Sequence, residues 1–226
     1  MFRIARFSGA TAVALLLCFV VVWTLVIDRG ANVAFADVID TLKNVKSATC
    51  VNRQTIGRQS EMTFKMYLLP DRIRMENRDV TIVVVDYQQQ KALQLVPPLK
   101  TAQTIELRGA VDPSALTNPL EQLQQLKPDD AVSQGEEMAG DRRLLIYKVE
   151  KAQLFDVKGP MTLWIDPKTE LPVKIHIEHT DAKTTRSLTF EDFKWNEPFD
   201  KTLFSLQVPD GYTVGNPGGA PPPDDQ

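Results

Sequence analysis

The chain has 226 residues, of which 43% are hydrophobic and 24% charged, enough for one domain with a core, which excludes a disordered protein. Its two cysteines and two histidines exclude a disulfide scaffold, a cysteine-built zinc site and a histidine-rich metal centre. A formal net charge of -3 gives no basic field for nucleic acid. We therefore expect no cofactor, no metal and no nucleic-acid partner.

An apolar segment without charges, residues 9–27, lies close to the N-terminus. Its 19 residues can cross a bilayer, for which about 20 are needed. Arg3 and Arg6 precede the segment, and positively charged flanks stay on the cytoplasmic side. We therefore predict a single-pass transmembrane signal-anchor in a bacterial inner membrane. Residues 1–8 would be a short cytoplasmic N-terminus, and the main domain would be periplasmic.

A cleaved signal peptide is the alternative, because Ala34-Phe35-Ala36 has the small-x-small form of a signal-peptidase site. However, the apolar segment is longer than the roughly 7 to 15 residues of a cleavable one, and the motif lies inside the first predicted helix. The pattern favours an uncleaved anchor, and leaves cleavage after Ala36 as the other outcome.

The folded domain begins with a helix predicted over residues 33–46, where apolar residues recur at helical spacing. Short runs rich in β-branched and aromatic residues follow, as is typical of strands in an antiparallel meander. These runs are Glu61–Leu69, Asp71–Asn77, Val80–Tyr87, Lys91–Val96 and Thr101–Leu107. Residues 80–85 are apolar on both faces, which predicts cover on both sides of the sheet.

A second helix is predicted after Asn118, a typical N-cap, with Pro119 at the first helical position and Glu121 three residues after the cap. A leucine stripe continues until Pro128. Further strands are expected at Ala131–Met138, Arg142–Lys151, Pro160–Asp166, Leu171–Thr180 and Thr184–Trp195. Turns are expected at Pro70–Asp71, Asp166–Thr169 and Asp181–Lys183. Residues 215–226, rich in Pro, Gly and Asp, are predicted to be a disordered tail.

This order of elements predicts an α+β fold, in which one large curved antiparallel sheet carries both helices on its concave side. The space between sheet and helices would be a natural apolar pocket. The domain would extend over residues 33–214.

Polar clusters give no sign of catalysis. His176 and His179 are three residues apart on a predicted strand, so they point to opposite faces and cannot form a metal pair. The carboxylate pairs are adjacent in sequence and lie in loops or on opposite strand faces. The chain also lacks nucleophile-elbow, phosphate-loop and zinc-protease motifs. We therefore predict that the protein is not an enzyme.

The apolar strand faces form either a filled core or a lipid-accepting cavity, and composition alone does not separate the two. Methionine-rich faces suit ligands of variable shape. From the alternation of side chains along strands, the predicted lining of the cavity is Phe64, Met66, Met75, Val83, Leu95 and Leu163.

Several segments together resemble the LolA-like outer-membrane lipoprotein carrier superfamily, which includes RseB-like periplasmic domains. The most specific are the hairpin at residues 163–175 and the Phe-x-x-x-x-Pro-x-Gly-Tyr ending at residues 204–212. The others, in the family's order, are residues 35–39, 69–76, 83–86 and 118–120.

The resemblance implies an incomplete β-barrel covered by helices, whose hydrophobic cavity holds lipid or the acyl chains of lipoproteins. The soluble carrier has an arginine before the strand-corner proline, where this chain has Leu69. This departure and the predicted anchor argue against shuttling across the periplasm. The expected function is membrane-anchored, non-enzymatic binding of lipid or an acylated lipoprotein. The alternative is an RseB-like envelope-stress sensor that binds a regulatory partner protein.

Overall fold

The computed structural model describes residues 35–78, 80–107, 118–180 and 184–215. The predicted signal-anchor, the predicted turn after Thr180 and all of the predicted tail except Gly215 lie outside these ranges. Within them, no helix is both long and apolar enough to cross a membrane.

Two helices and twelve strands make up the described chain, together with three short 3-10 helices. The α-helices are α1 (35–43) and α2 (Pro119–Gln124). The strands are β1 (Ala48–Ile56), β2 (Met62–Leu68), β3 (Arg72–Asn77), β4 (Thr81–Asp86), β5 (Lys91–Val96), β6 (Thr101–Glu106), β7 (Ala131–Ala139), β8 (Arg142–Leu154), β9 (Val157–Asp166), β10 (Leu171–Thr180), β11 (Thr185–Trp195) and β12 (Thr213–Val214). The 3-10 helices are Pro97–Leu99, Pro128–Asp130 and Lys201–Phe204.

All twelve strands form one open sheet in the order β12-β6-β5-β4-β3-β2-β1-β11-β10-β9-β8-β7. Every neighbouring pair is antiparallel except β12 and β6, which are parallel. The sheet consists of two meanders, β1 to β6 and β7 to β11, which meet where β1 pairs with β11. The prediction of one large, mainly antiparallel sheet is confirmed, and an open sheet of this kind fits an incomplete barrel.

The first strand, β1, is not predicted from the sequence pattern. Its alternate positions begin with the buried Ala48 and Cys50 but continue with the amides of Asn52 and Gln54, so the apolar alternation stops halfway. The strand forms nevertheless, because it pairs with β2 on one side and β11 on the other. The two-residue strand β12 is also not predicted. The other ten strands lie where the sequence places them, within a few residues.

Asn118 and the turn residues Pro70 and Asp166 act as the sequence predicts. The side chain of Asn118 accepts a hydrogen bond from the backbone N–H of Leu120, which starts α2. In the turn between β9 and β10, Asp166 accepts from the backbone N–H of Lys168 at 2.8 Å. The strand corner at Pro70 closes through a bond from the N–H of Leu69 to the carbonyl of Arg72.

The larger core lies on the side of the sheet that carries both helices, which we call the inner face. Helix α1 contributes Phe35, Ile39 and Leu42, and α2 contributes Leu120 and Leu123, all of them buried. They pack on side chains from strands in both meanders. The predicted placement of two helices on one side of the sheet is confirmed.

A smaller core lies on the opposite side, which we call the outer face. The chain after β11 folds back over β4, β5 and β6 there and buries Phe204 against Val84, Leu93 and Leu95. Strand β4 is therefore covered on both faces, since Val85 packs against the larger core. This confirms the prediction drawn from residues 80–85.

Candidate functional site

Three of the predicted lining residues form one row across the first meander. Met66 on β2 lies opposite Met75 on β3, which lies opposite Val83 on β4. Side chains directly opposite each other in an antiparallel pair point to the same face. Because Met66 and Met75 pack with the larger core, this is the inner face.

A second row joins the two meanders across the centre of the sheet. Phe64 on β2 lies opposite Asn52 on β1, which lies opposite Phe190 on β11. Phe190 lies opposite Ile175, and Ile175 lies opposite Leu163 on β9. Five of the six predicted lining residues, Phe64, Met66, Met75, Val83 and Leu163, thus share the inner face.

Leu95 does not share that face, so the strand-parity assignment is wrong for this residue. It lies opposite Ile82 on β4 and packs with Val84 and Phe204 in the outer core. The reason is that β5 directs both of its leucines outward, toward the chain segment that follows β11. Strand parity groups Leu93 with Leu95 correctly, but cannot tell which face lies toward the helices.

The inner face is filled beneath the helices and half-open beside them. Met66 and Leu163 are both 0% exposed, so at these positions the apolar side chains form a packed core. Phe64, Met75 and Val83 are only partly buried, although Phe64 and Met75 pack against the same cluster. A continuous apolar surface therefore runs from the packed core to a solvent-accessible part of the sheet.

Three amide side chains connect helix α2 to the elements around the inner face. Asn118 donates from Nδ2 to the carbonyl of Leu69 at 2.7 Å, at the strand corner. Gln124 donates to the carbonyl of Leu42 at 2.9 Å, at the end of α1. Gln122 accepts from the N–H of Phe155 at 2.8 Å, at the β8–β9 turn. These bonds fix a helix of only six residues over the core.

Sequence reasoning missed two polar residues of the inner face, Asn52 and Gln54. Asn52 is 0% exposed, and Gln54 donates from Nε2 to its Oδ1 at 2.6 Å. The available signal was a pair of amides at alternate positions of a segment that otherwise reads as a strand. Such residues break the apolar alternation and lead to the segment being overlooked.

Burial disfavours ionisation of three side chains in the larger core. Burial raises the pKa of the Cys50 thiol, which disfavours the reactive thiolate. Burial likewise raises the pKa values of Tyr87 and Tyr147. The described ranges contain no group of three or more side chains that could hold a metal ion. His176 lies on the outer face, since Ile175 and Ile177 on either side of it belong to the larger core, and its Nδ1 is 2.9 Å from the hydroxyl of Thr189.

A separate groove of about 750 Å³ lies on the outer face, between the sheet and the residues that follow β11. Its apolar part includes Tyr67 and Phe199, whose rings meet edge to face at 5.8 Å between centroids. Lys65 lies over the Tyr67 ring at 4.9 Å. Four acidic residues and three basic ones line the groove, so its charge is mixed.

No protein-family model and no curated protein matches the chain. Among solved structures, it is similar to the lipoprotein LppX of Mycobacterium tuberculosis, with 15% identity, a TM-score of 0.49 and coverage of 76% of this chain and 98% of that chain. It is also similar to LprF of Mycobacterium bovis, with 13% identity, a TM-score of 0.49 and coverage of 82% and 98%.

A LolA superfamily protein from Nitrosomonas europaea is a third similar structure, with 8% identity, a TM-score of 0.30 and coverage of 75% of this chain and 96% of that chain.

Proposed function

We propose that the chain is a non-enzymatic binding protein for lipid or for the acyl chains of a lipoprotein, with the inner face as the binding surface. The observation that carries the proposal is the half-open apolar row of Met75 and Val83, which continues from the buried Met66 and has Phe64 beside it on β2. Partly exposed apolar surface continuous with a core is typical of a surface that binds an apolar partner.

An acyl chain would lie on this row and extend toward the core by displacing flexible side chains. Methionine has three rotatable bonds and repacks at little cost, and two methionines, Met66 and Met75, lie opposite each other here. Each methylene that leaves water contributes about 0.8 kcal/mol. A chain of a dozen carbons could therefore offset the cost of opening the contacts beside α2.

We further propose that residues 9–27 anchor this domain on the periplasmic side of a bacterial inner membrane. The length of the segment and the arginines before it support this. A domain held in this way would receive or deliver acyl chains at the outer leaflet of that membrane and would not cross the periplasm.

The test is lipid mass spectrometry on an organic extract of the full chain, purified under native conditions. We expect acyl lipid at a stoichiometric amount, lost in Val83→Asp because a charge then lies on the half-open row. Val132→Asp is the matched control, since Val132 is 56% exposed on β7. Met75→Gln, which keeps the side-chain length, tests the row if Val83→Asp lowers the melting temperature.

A folded, lipid-free chain that also fails to take up a fluorescent fatty acid would contradict the proposal. Retention of lipid by both Val83→Asp and Met75→Gln would move the binding surface away from this row.

A partner-protein function is the second candidate, favoured by the long exposed edge strand β7. Eight of its nine residues are exposed, and Met138 on it is 64% exposed. Unpaired strand edges bind extended segments of other proteins. If β7 binds a partner, a photo-crosslinker at Met138 would give one discrete adduct in cells. Val132→Pro, which disrupts the strand, would abolish this adduct and leave lipid binding in place.

A further inference from the structure

Two amide side chains of β1, Asn52 and Gln54, lie among apolar neighbours on the inner face. Asn52 has Phe64 and Phe190 as its cross-strand neighbours. Gln54 lies opposite Met62 on β2 and Leu188 on β11. A buried amide costs free energy unless its hydrogen bonds are satisfied, so an apolar residue would be the simpler choice at these positions. Departures of this kind from the local pattern occur mainly at functional sites.

The hydrogen bonds fix the orientation of both amides. Asn52 donates from Nδ2 to the backbone carbonyl of Thr189 at 3.3 Å, and a carbonyl can only accept. Oδ1 of Asn52 therefore faces Gln54 and accepts from its Nε2 at 2.6 Å. One Nε2 hydrogen and Oε1 of Gln54 then remain without a partner among the described residues, and this side chain is partly exposed. The result is an oriented polar group at the accessible end of an apolar surface.

Two charged groups near Gln54, Arg186 and Asp156, pair with each other. Arg186 lies opposite Ile56, two residues beyond Gln54 on β1, and donates to Asp156 at 2.7 Å. A ligand group that contacts Gln54 therefore contacts a neutral amide, and the arginine nearby is already paired with a carboxylate. An uncharged polar group matches this setting better than a phosphate or a carboxylate does.

We propose that Gln54, oriented by Asn52, binds the ester or amide carbonyl that joins an acyl chain to its head group. Nε2 of Gln54 donates to that carbonyl, while the chain lies against Phe64 and Met62. This inference rests on the proposed acyl-binding function and deepens it, because it places the polar end of the ligand. Gln54 contacts the ligand and Asn52 is a positioning residue.

The test compares methyl dodecanoate with dodecane as competitors of a fluorescent fatty acid bound to the full chain. One neutral hydrogen bond favours the ester by about threefold to tenfold over the alkane. Gln54→Met, which keeps the length and removes the amide, should bring this preference close to one. Gln94→Met is the matched control, since Gln94 lies opposite Val83 on the same face and makes no side-chain hydrogen bond within the described ranges.

The outcomes separate this inference from the function on which it rests. Binding of neither competitor nor the fluorescent fatty acid would overturn both. Equal binding of ester and alkane to the unchanged chain, or an ester preference that survives Gln54→Met, would overturn only the role of Gln54. An equal loss of preference in Gln94→Met would also overturn it, because the effect would then not depend on the oriented amide.

Discussion

Close contacts between strands leave little room for change at single residues, and Gly159 on β9 is the clearest case. A Cβ atom added at this position would overlap the backbone carbonyl oxygen of Glu178 on β10. The two strands can only approach each other here because glycine has no side chain.

Gly159→Ala should therefore lower the free energy of unfolding by about 1–3 kcal/mol, because β9 and β10 must separate to admit the methyl group. Gly215→Ala is the control, since no atom lies within 4 Å of the added Cβ and its backbone is unstrained. Urea unfolding followed by circular dichroism measures both. Equal midpoints for the two variants would show that the strands adjust without cost.

The thiol of Cys50 should be unreactive in the folded protein. It is 2% exposed, and burial raises its pKa, so thiolate forms only at a pH well above the ordinary range of a cysteine. We expect no maleimide labelling of the Cys50 peptide at pH 8 in native buffer and complete labelling in denaturant. Val132→Cys should label within minutes and controls for the reagent. Rapid native labelling of Cys50 would mean that the core opens under β1.

Strand parity predicts which side chains share a face of the sheet, but not which face that is. Alternation correctly groups Phe64 with Met66, and Leu93 with Leu95, because side chains two apart share a face. It cannot say which group meets the helices, since that depends on the chain after β11, more than 100 residues away from Leu95. Asn52 and Gln54 escape prediction for a related reason, because tertiary contacts and not local pattern satisfy their amides.

Elements with strong local signals are those that the sequence predicts best. Helix α2 has a capping asparagine followed by proline, and β10 follows the turn at Asp166, so both lie where they are expected. Strand β1 has no such signal and depends on its partners β2 and β11. Strand β12 is only two residues long and depends on the edge of β6.

Helix α2 should depend strongly on Asn118. Asn118→Ala removes the N-cap and also leaves the carbonyl of Leu69 without its side-chain donor. Loss of a cap costs about 0.5–2 kcal/mol, and the lost bond to Leu69 adds to this. The control is Gln125→Ala, which removes only an exposed bond to Glu121 and should change the stability by less than about 0.5 kcal/mol. Similar unfolding midpoints for both variants would contradict the role given to Asn118.

At the scale of the whole molecule, the two cores share strands and should unfold together. Phe204 is 2% exposed and fills the outer core beneath the segment that follows β11. Phe204→Ala should lower the free energy of unfolding by about 3–5 kcal/mol in a single transition with an unchanged denaturant slope. The control is Leu99→Ala, at a residue that is 68% exposed, whose free energy of unfolding should stay within about 0.5 kcal/mol of the wild-type value. If the unfolding midpoint of Phe204→Ala equals that of the wild-type protein, the segment that follows β11 detaches independently of the sheet.

The two meanders meet at the pair of β1 and β11, and this pair determines when β1 gains its second partner strand during synthesis. The centre of the sheet is the pair of β1 and β11, its first strand and its last long one, so residue 48 lies opposite residue 195. All other antiparallel neighbours are consecutive in the chain. A chain that emerges N-terminus first can therefore form each meander as it appears, but one edge of β1 stays unpaired until nearly the whole domain has emerged. During that interval a chaperone or another extended chain has access to the strand that carries Asn52 and Gln54.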